Sequence, residues 1–122
     1  MRLIIAGSRN ITAPSILEAA LDASGWRDRI TEVVCGCAPG VDTLGEQWAI
    51  RHKIPVRRFP ADWDKHGRAA GPIRNREMAM NADALLAIWD GESHGTSNII
   101  AAARQLGLQV RLWRVGAWQE AL

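Results

Sequence analysis

The chain has 122 residues, of which 48% are hydrophobic and 23% are charged, a composition typical of a soluble globular protein. No apolar run approaches the roughly 18 residues of a membrane span, and the opening MRLIIAGSRN has too short an apolar core for a signal peptide. Fifteen Lys and Arg against thirteen Asp and Glu leave a net charge of +2, too small by itself to indicate a nucleic-acid partner. We therefore expect one cytoplasmic domain over 1–122 with no membrane partner.

Short apolar runs alternate along the chain with longer amphipathic stretches, which is the pattern of βαβ units in an α/β protein. Strands are predicted at 2–7, 31–36, 55–59, 84–89 and 109–114. Helices are predicted at 13–24, 41–53, 72–82 and 96–106, and 60–71 is left as one long irregular connection. Right-handed crossovers favour an open, doubly wound, five-stranded parallel sheet of order 3-2-1-4-5 with helices on both faces.

Ligands of such sheets bind beyond the carboxyl ends of the strands, so the loops at that edge form the candidate site. These loops read GSRN (7–10), CGCAPGVD (35–42), PADWDKHGRAAGPIRNRE (60–77) and DGESHGT (90–96). In the first loop Gly7 lets a ligand approach the backbone, Ser8 offers a hydroxyl and Arg9 offers a fork of donors. An ordinary turn between a strand and a helix accounts for the same residues.

The second loop has two features of an anion site. Gly36 and Gly40 bracket a tight turn whose N–H groups can converge on an anion, and the helix that begins at about Val41 adds a partial positive charge. Asp42, in the first turn of that helix, either complements the helix dipole or accepts hydrogen bonds from a ribose.

The two cysteines of this loop, Cys35 and Cys37, do not indicate a metal site. Zinc takes about four ligands, and the three histidines lie apart from one another with no second Cys or His pair. A disulfide between two residues on the same side of a strand would be strained. We expect small, partly buried thiols, no metal and no cofactor.

The third loop is rich in cations. Pro72 suits a first helical turn, so Arg74 and Arg76 leave the helix near its N-terminus, where the dipole disfavours cations unless an anion binds there. A charge-assisted hydrogen bond to such an anion contributes roughly 1.5–3 kcal/mol. The alternative is a solvated basic face.

The fourth loop offers a second phosphate cradle. Gly91, Gly95 and the Thr96 hydroxyl stand where a strand ends and a helix begins, although the pattern is neither a Walker loop nor GxGxxG. Glu92 and His94 either act as general acid and base or line an exposed loop.

The tryptophans are predicted either to pack internally or to contact a ligand or a partner. Trp48 lies on an apolar helix stripe and is predicted in the core, while Trp63 and Trp89 either stack on a base or pack internally. Trp113 on an edge strand and Trp118 in the tail suggest a covered edge or a subunit contact, and we expect a homo-oligomer.

Four motifs occur in register on the four loops: GSR (7–9), CGCAPGVD (35–42), FPADWDKHGRAAGPIRNREM (59–78) and WDGESHGT (89–96). Over residues 1–112 the chain resembles the YspA-type, cpYpsA-related family of the SLOG superfamily. These are Rossmann-like proteins related to the Lonely Guy phosphoribohydrolases and to the DNA-processing protein that loads recombinase. The resemblance implies a nucleotide-derived ligand bound at Gly7, Ser8, Arg9, Gly36, Ala38, Gly40, Asp42, Arg74, Asn75, Arg76, Gly95 and Thr96.

Two residues depart from the family pattern. Cys37 stands where a second glycine is usual, which narrows the approach of a ligand to that loop. The Lonely Guy enzymes have a catalytic glutamate three residues after their Gly-Thr pair, and here that position is Ile99. The resemblance therefore favours a binding protein over a hydrolase.

Three functions follow from these residues. The favoured one is a sensor or sequestering module for a small nucleotide-derived ligand such as an ADP-ribose or NAD derivative. The second is an N-glycosidase acting on nucleoside monophosphates, with Glu92, Asp42 or Asp62 as the catalytic carboxylate. The third is single-stranded DNA binding through a set of cations that comprises Lys65, Arg68, Arg74 and Arg76.

Overall fold

The computed structural model describes residues 1–115, so Trp118 lies outside the described residues. The strands are β1 (Arg2–Gly7), β2 (Glu32–Cys35), β3 (Val56–Arg58), β4 (Ala84–Trp89) and β5 (Gln109–Arg114). The helices are α1 (Pro14–Ser24), α2 (Val41–Arg51), α3 (Trp63–His66), α4 (Ala70–Met80) and α5 (His94–Gln105). Within residues 1–115, no helix has the length and apolarity needed to cross a membrane.

The strands form one parallel sheet of order β3-β2-β1-β4-β5, so the predicted α/β class and strand order are confirmed. The central strand β1 pairs with β2 on one side and with β4 on the other, and strand order reverses beside it. This reversal point is where ligands bind in doubly wound sheets.

The helices cover both faces of the sheet because the side chains of each strand alternate between the faces. Leu3 and Ile5 of β1 pack in one apolar cluster with residues of α1 and α2. Ile4 and Ala6 pack in a second cluster with residues of α4 and α5. At roughly 25 cal/mol for each Å² of buried apolar surface, these two clusters are the main source of stability.

The segment at 60–71 differs from the prediction of an irregular connection. It holds the short helix α3, a 3-10 turn at Gly67–Ala69 and the start of α4. Asp62 caps α3 by accepting a hydrogen bond from the Lys65 N–H at 3.1 Å. As a result, Trp63 is held at the carboxyl edge of the sheet.

Two glycines allow the first two loops to meet. A Cβ on Gly7 would overlap the carbonyl oxygen of Ile88, and a Cβ on Gly40 would overlap the carbonyl oxygen of Ser8. Gly40 also has φ of 80°, which L side chains rarely adopt. Both glycines are therefore required by backbone packing, whether or not a ligand approaches them.

We expect Gly40→Ala to lower the free energy of unfolding by about 2–5 kcal/mol, because the left-handed φ and the overlap with Ser8 both oppose a methyl group. Gly25→Ala is the matched control, since Gly25 has φ of 74° with no atom within 4 Å of the added Cβ. The control should lose only about 1–2 kcal/mol. Urea denaturation measures both values, and equal losses would contradict the role assigned to the loop contact.

Candidate functional site

A cavity of about 450 Å³ opens at the carboxyl edge of the sheet, beside β1. Its walls come from the loop after β1, the turn before α2, Trp63 of α3 and the N-terminal turns of α4 and α5. The volume lies within the roughly 300–1,000 Å³ of small-molecule sites.

The cavity brings together eight of the twelve residues that the resemblance implied. They are Gly7, Arg9, Ala38, Asp42, Arg74, Asn75, Gly95 and Thr96. Ser8, Gly36, Gly40 and Arg76 do not line it. Arg76 is exposed and instead lines a groove between α4 and α5.

Ser8 is occupied by internal hydrogen bonds. It is 1% exposed, its N–H donates to the Ile88 carbonyl at 3.0 Å, and its hydroxyl accepts from the Asp90 N–H at 3.0 Å. Its own carbonyl accepts from the Val41 N–H at 3.4 Å. Ser8 thus links the first, second and fourth loops by hydrogen bonds, and its hydroxyl stabilises the contact between the first and fourth loops.

Asp42 is a buried carboxylate in the cavity wall, 5% exposed. One carboxylate oxygen accepts a hydrogen bond from the Ala38 N–H at 3.2 Å. Burial raises the pKa of Asp42 to about 6, although the Ala38 and Gly7 N–H groups and the positive charges of Arg74 and Arg9 lower it. Asp42 thus holds the turn before α2 and also lines the cavity, and its contact with a ribose stays a prediction.

Arg74 connects three of the loops. Its guanidinium donates to the Gly36 carbonyl through Nη1 and to the Asn75 Oδ1 through Nε at 2.9 Å. The buried Asn75 amide in turn donates to the Asn98 Oδ1 at 2.9 Å and to the Gly95 carbonyl at 3.4 Å. This network fixes the guanidinium at the cavity wall and leaves some of its five N–H donors for a ligand.

Arg9 contributes the second cation of the cavity. Its side chain is exposed, and its guanidinium makes no hydrogen bond or salt bridge with any residue of 1–115. A cation that is unpaired and borders a cavity is available to an anionic ligand.

Helix α5 begins at His94, two residues earlier than predicted, because Ser93 is its N-cap. The Ser93 Oγ accepts from the Thr96 N–H at 3.4 Å and from the Thr96 hydroxyl at 3.2 Å. The N–H groups of His94 and Gly95 have no acceptor in the described part of the chain, and both residues line the cavity. Free N–H groups at a helix N-terminus bind anions.

The cavity floor is apolar, which the loop motifs did not predict. Met78 and Ile99 are 1% and 2% exposed and line the cavity with Ala6. Trp63 is 52% exposed at the mouth. The helical spacing from Asn75 to Met78 and from Thr96 to Ile99 is the signal that could have found this floor.

The three catalytic candidates differ in position. Among residues 1–115, Asp42 is the one carboxylate that lines the cavity. Asp62 is exposed and caps α3, and Glu92 is exposed outside the cavity. Asp90 turns away to accept the N–H groups of Glu92 and Ser93, which lower its pKa.

The cysteines are free and unlike each other. Cys35 is buried, whereas Cys37 is exposed and has a left-handed φ of 64° beyond the end of β2. The expectation of two partly buried thiols is therefore wrong for both. Over 1–115, no cluster of three or more His, Cys, Asp or Glu side chains could hold a metal ion.

Most of the tryptophans in residues 1–115 are buried or half-buried. Trp48 is 1% exposed in the core, as predicted. The Trp89 indole donates to the Ser93 carbonyl at 3.1 Å, so it supports the α5 cap. Trp113 is half-buried against the core on edge strand β5, and the homo-oligomer stays a prediction.

The model of the YAcAr family, described as the YspA, cpYpsA-related SLOG family, matches residues 1–66, more than half of the chain. The chain belongs to this family. The matched part of this SLOG protein includes the first two loops and reaches into the third, as far as the C-terminus of α3.

A curated relative extends the comparison. The SLOG chain is 37% identical over 84 residues to the Gene 61 protein of Mycobacterium phage D29, a match covering 64% of this chain and 67% of that protein. No solved structure matches the chain. The contacts within this SLOG protein itself are therefore the evidence for what its individual residues do.

Proposed function

We propose that this SLOG protein binds a nucleotide or nucleotide-derived ligand, such as an ADP-ribose or NAD derivative, as a sensor or sequestering module. The observation that supports it is one cavity in which Arg9, Arg74 and the free N–H groups at the start of α5 surround an apolar floor. Positive groups suit phosphates, and an apolar floor suits the base of a nucleotide.

Electrostatics favours an anion at this edge. Helices α2, α4 and α5 have eleven or twelve residues each, and the N-terminal residues of all three contribute to the cavity wall. Each helix end contributes about 0.3–1 kcal/mol to an exposed anion and up to about 2 kcal/mol to a partly buried one. The negative charge of Asp42 opposes this, although burial raises the pKa of Asp42 to about 6 and so disfavours its charged form.

Calorimetric titration against a panel of AMP, ADP, ADP-ribose and NAD tests the proposal. We expect at least one member to bind more tightly than about 1 mM, and mass spectrometry of the purified protein to identify any retained nucleotide. Absence of binding across the panel would overturn a role in nucleotide sensing.

An N-glycosidase is the second candidate, and Asp42 is the observation in its favour. A buried carboxyl with a pKa near 6 can act as a general acid, as catalysis at an N-glycosidic bond requires. Against it, Ile99 supplies no carboxylate, and the described part of the cavity wall provides no second acid. Chromatography of incubated nucleoside monophosphates decides the point, since free base that disappears in Asp42→Asn would favour hydrolysis.

Single-stranded DNA binding is less favoured, because its predicted cations are divided between different surfaces. Arg74 is in the cavity wall, whereas Arg76 lines the groove between α4 and α5. DNA binding through neutralised phosphates would weaken steeply as salt is raised.

A further inference from the structure

A second, smaller compartment adjoins the cavity. It measures about 160 Å³ and shares Arg9, Ala38, Trp63 and Arg74 with the cavity wall. Its remaining walls are Gly36 and Cys37 of the second loop and Pro60 and Ala61, which precede α3. A ligand can therefore contact both arginines from either compartment.

The two compartments differ in charge. The larger one includes the Asp42 carboxylate, whereas the described residues that line the smaller one include two arginines and no acid. Arg9 is unpaired within residues 1–115, and Arg74 has donors beyond the two that bind Gly36 and Asn75. Two arginines with unused donors in a concave pocket that no described acid lines favour an anionic group, although both also interact with the Asp42 carboxylate of the adjoining cavity.

The size of the smaller compartment limits what enters it. It lies below the roughly 300 Å³ at which small-molecule sites begin, so a whole nucleoside does not fit. A single phosphate-sized group does fit, and it would reach the planar donors of Arg9 and Arg74.

We propose that the smaller compartment is a second anion subsite, so that the protein selects ligands with two linked phosphate groups over nucleoside monophosphates. One phosphate binds at the free N–H groups of α5, and the second lies between Arg9 and Arg74 beside Cys37. This inference rests on the proposed function and deepens it. In this arrangement Cys37 lies next to the second phosphate of the ligand.

Cys37 provides the readout for the subsite. Its thiol is exposed at the wall of the smaller compartment, whereas Cys35 is buried and burial raises the pKa of Cys35 to about 12. Iodoacetamide should therefore alkylate Cys37 alone, because the thiolate is the reactive form. An anion beside Cys37 slows the reaction by blocking access to the thiol.

The experiment compares AMP with ADP, each at a concentration that calorimetry shows to be saturating. We expect ADP to slow alkylation of Cys37 by about tenfold or more and to bind about tenfold more tightly than AMP, while AMP leaves the alkylation rate nearly unchanged. Arg9→Gln should reduce both differences, Arg76→Gln should preserve them, and Cys37→Ser should abolish labelling.

The outcomes separate this inference from the proposed function. If AMP and ADP bind equally and neither slows alkylation, the second subsite is wrong and nucleotide binding stands. If no nucleotide binds, the proposed function fails, and inorganic pyrophosphate becomes the probe. Protection of Cys37 by pyrophosphate would then support an anion subsite, and its absence would overturn the subsite.

Discussion

Replacing Arg74 by glutamine is expected to weaken binding of the nucleotide that calorimetry identifies by about 10- to 150-fold, whereas Arg76→Gln leaves the affinity unchanged. The two residues stand two positions apart on α4, but Arg74 lies in the cavity wall and Arg76 lines a separate groove. Loss of one charge-assisted hydrogen bond costs about 1.5–3 kcal/mol, which corresponds to a loss of affinity of about 10- to 150-fold.

The two variants control each other, because each removes one positive charge from the same helix. Circular dichroism and urea denaturation must show that Arg74→Gln still folds, since Arg74 also binds the Gly36 carbonyl. Equal losses of affinity in the two variants would indicate general attraction by the basic segment and would contradict a site built around Arg74.

Asp42→Asn is expected to abolish a pH dependence of stability between about pH 4 and pH 6. Because the pKa of Asp42 is raised from 3.8 to about 6, the folded state binds the proton more tightly than the unfolded state does. The associated stability is present below pH 3.8 and is lost as the pH rises through about 6. A shift of about two pKa units corresponds to roughly 3 kcal/mol at pH 7.

Urea denaturation from pH 4 to pH 8 measures this effect as the difference between wild type and variant. Asp42→Asn should match wild type near pH 4 and exceed it at pH 7. Asp83→Asn is the control, because hydrogen bonds from Arg2 lower the pKa of Asp83 from 3.8 to about 2. Its titration therefore lies below this pH range, and its difference from wild type should stay constant from pH 4 to pH 8. A difference in stability between wild type and Asp42→Asn that stays constant with pH would show that the pKa of Asp42 is not near 6.

The sequence determined the sheet and its edge. Strands 2–7, 84–89 and 109–114 occur as predicted, because their apolar residues have the spacing and bounding turns of strands. The two shorter strands lack one predicted residue at each end, and β3 is an edge strand that pairs only with β2. Handedness of the crossovers then determines the strand order and places the four loops at one edge.

Helix starts were less well predicted. Helix α4 begins at Ala70 and not at the predicted residue 72, so that Pro72 is its third residue and lies in the first turn, as predicted. Proline is tolerated there because N–H groups of a first turn have no intrahelical partner. The sequence pattern does not predict Ser93 as the N-cap of α5, because the Gly-Thr motif favours a helix start at Thr96.

The sequence by itself thus determined the α/β class, the strand order and the loops that meet at the carboxyl edge, since local periodicity and chain connectivity carry that information. Only the tertiary structure decided that Arg74 faces the cavity while Arg76 lies outside it, that Ser8 is occupied internally, and that Asp42 is buried with a raised pKa. These properties depend on side-chain direction and on burial by residues distant in sequence, which no local pattern encodes.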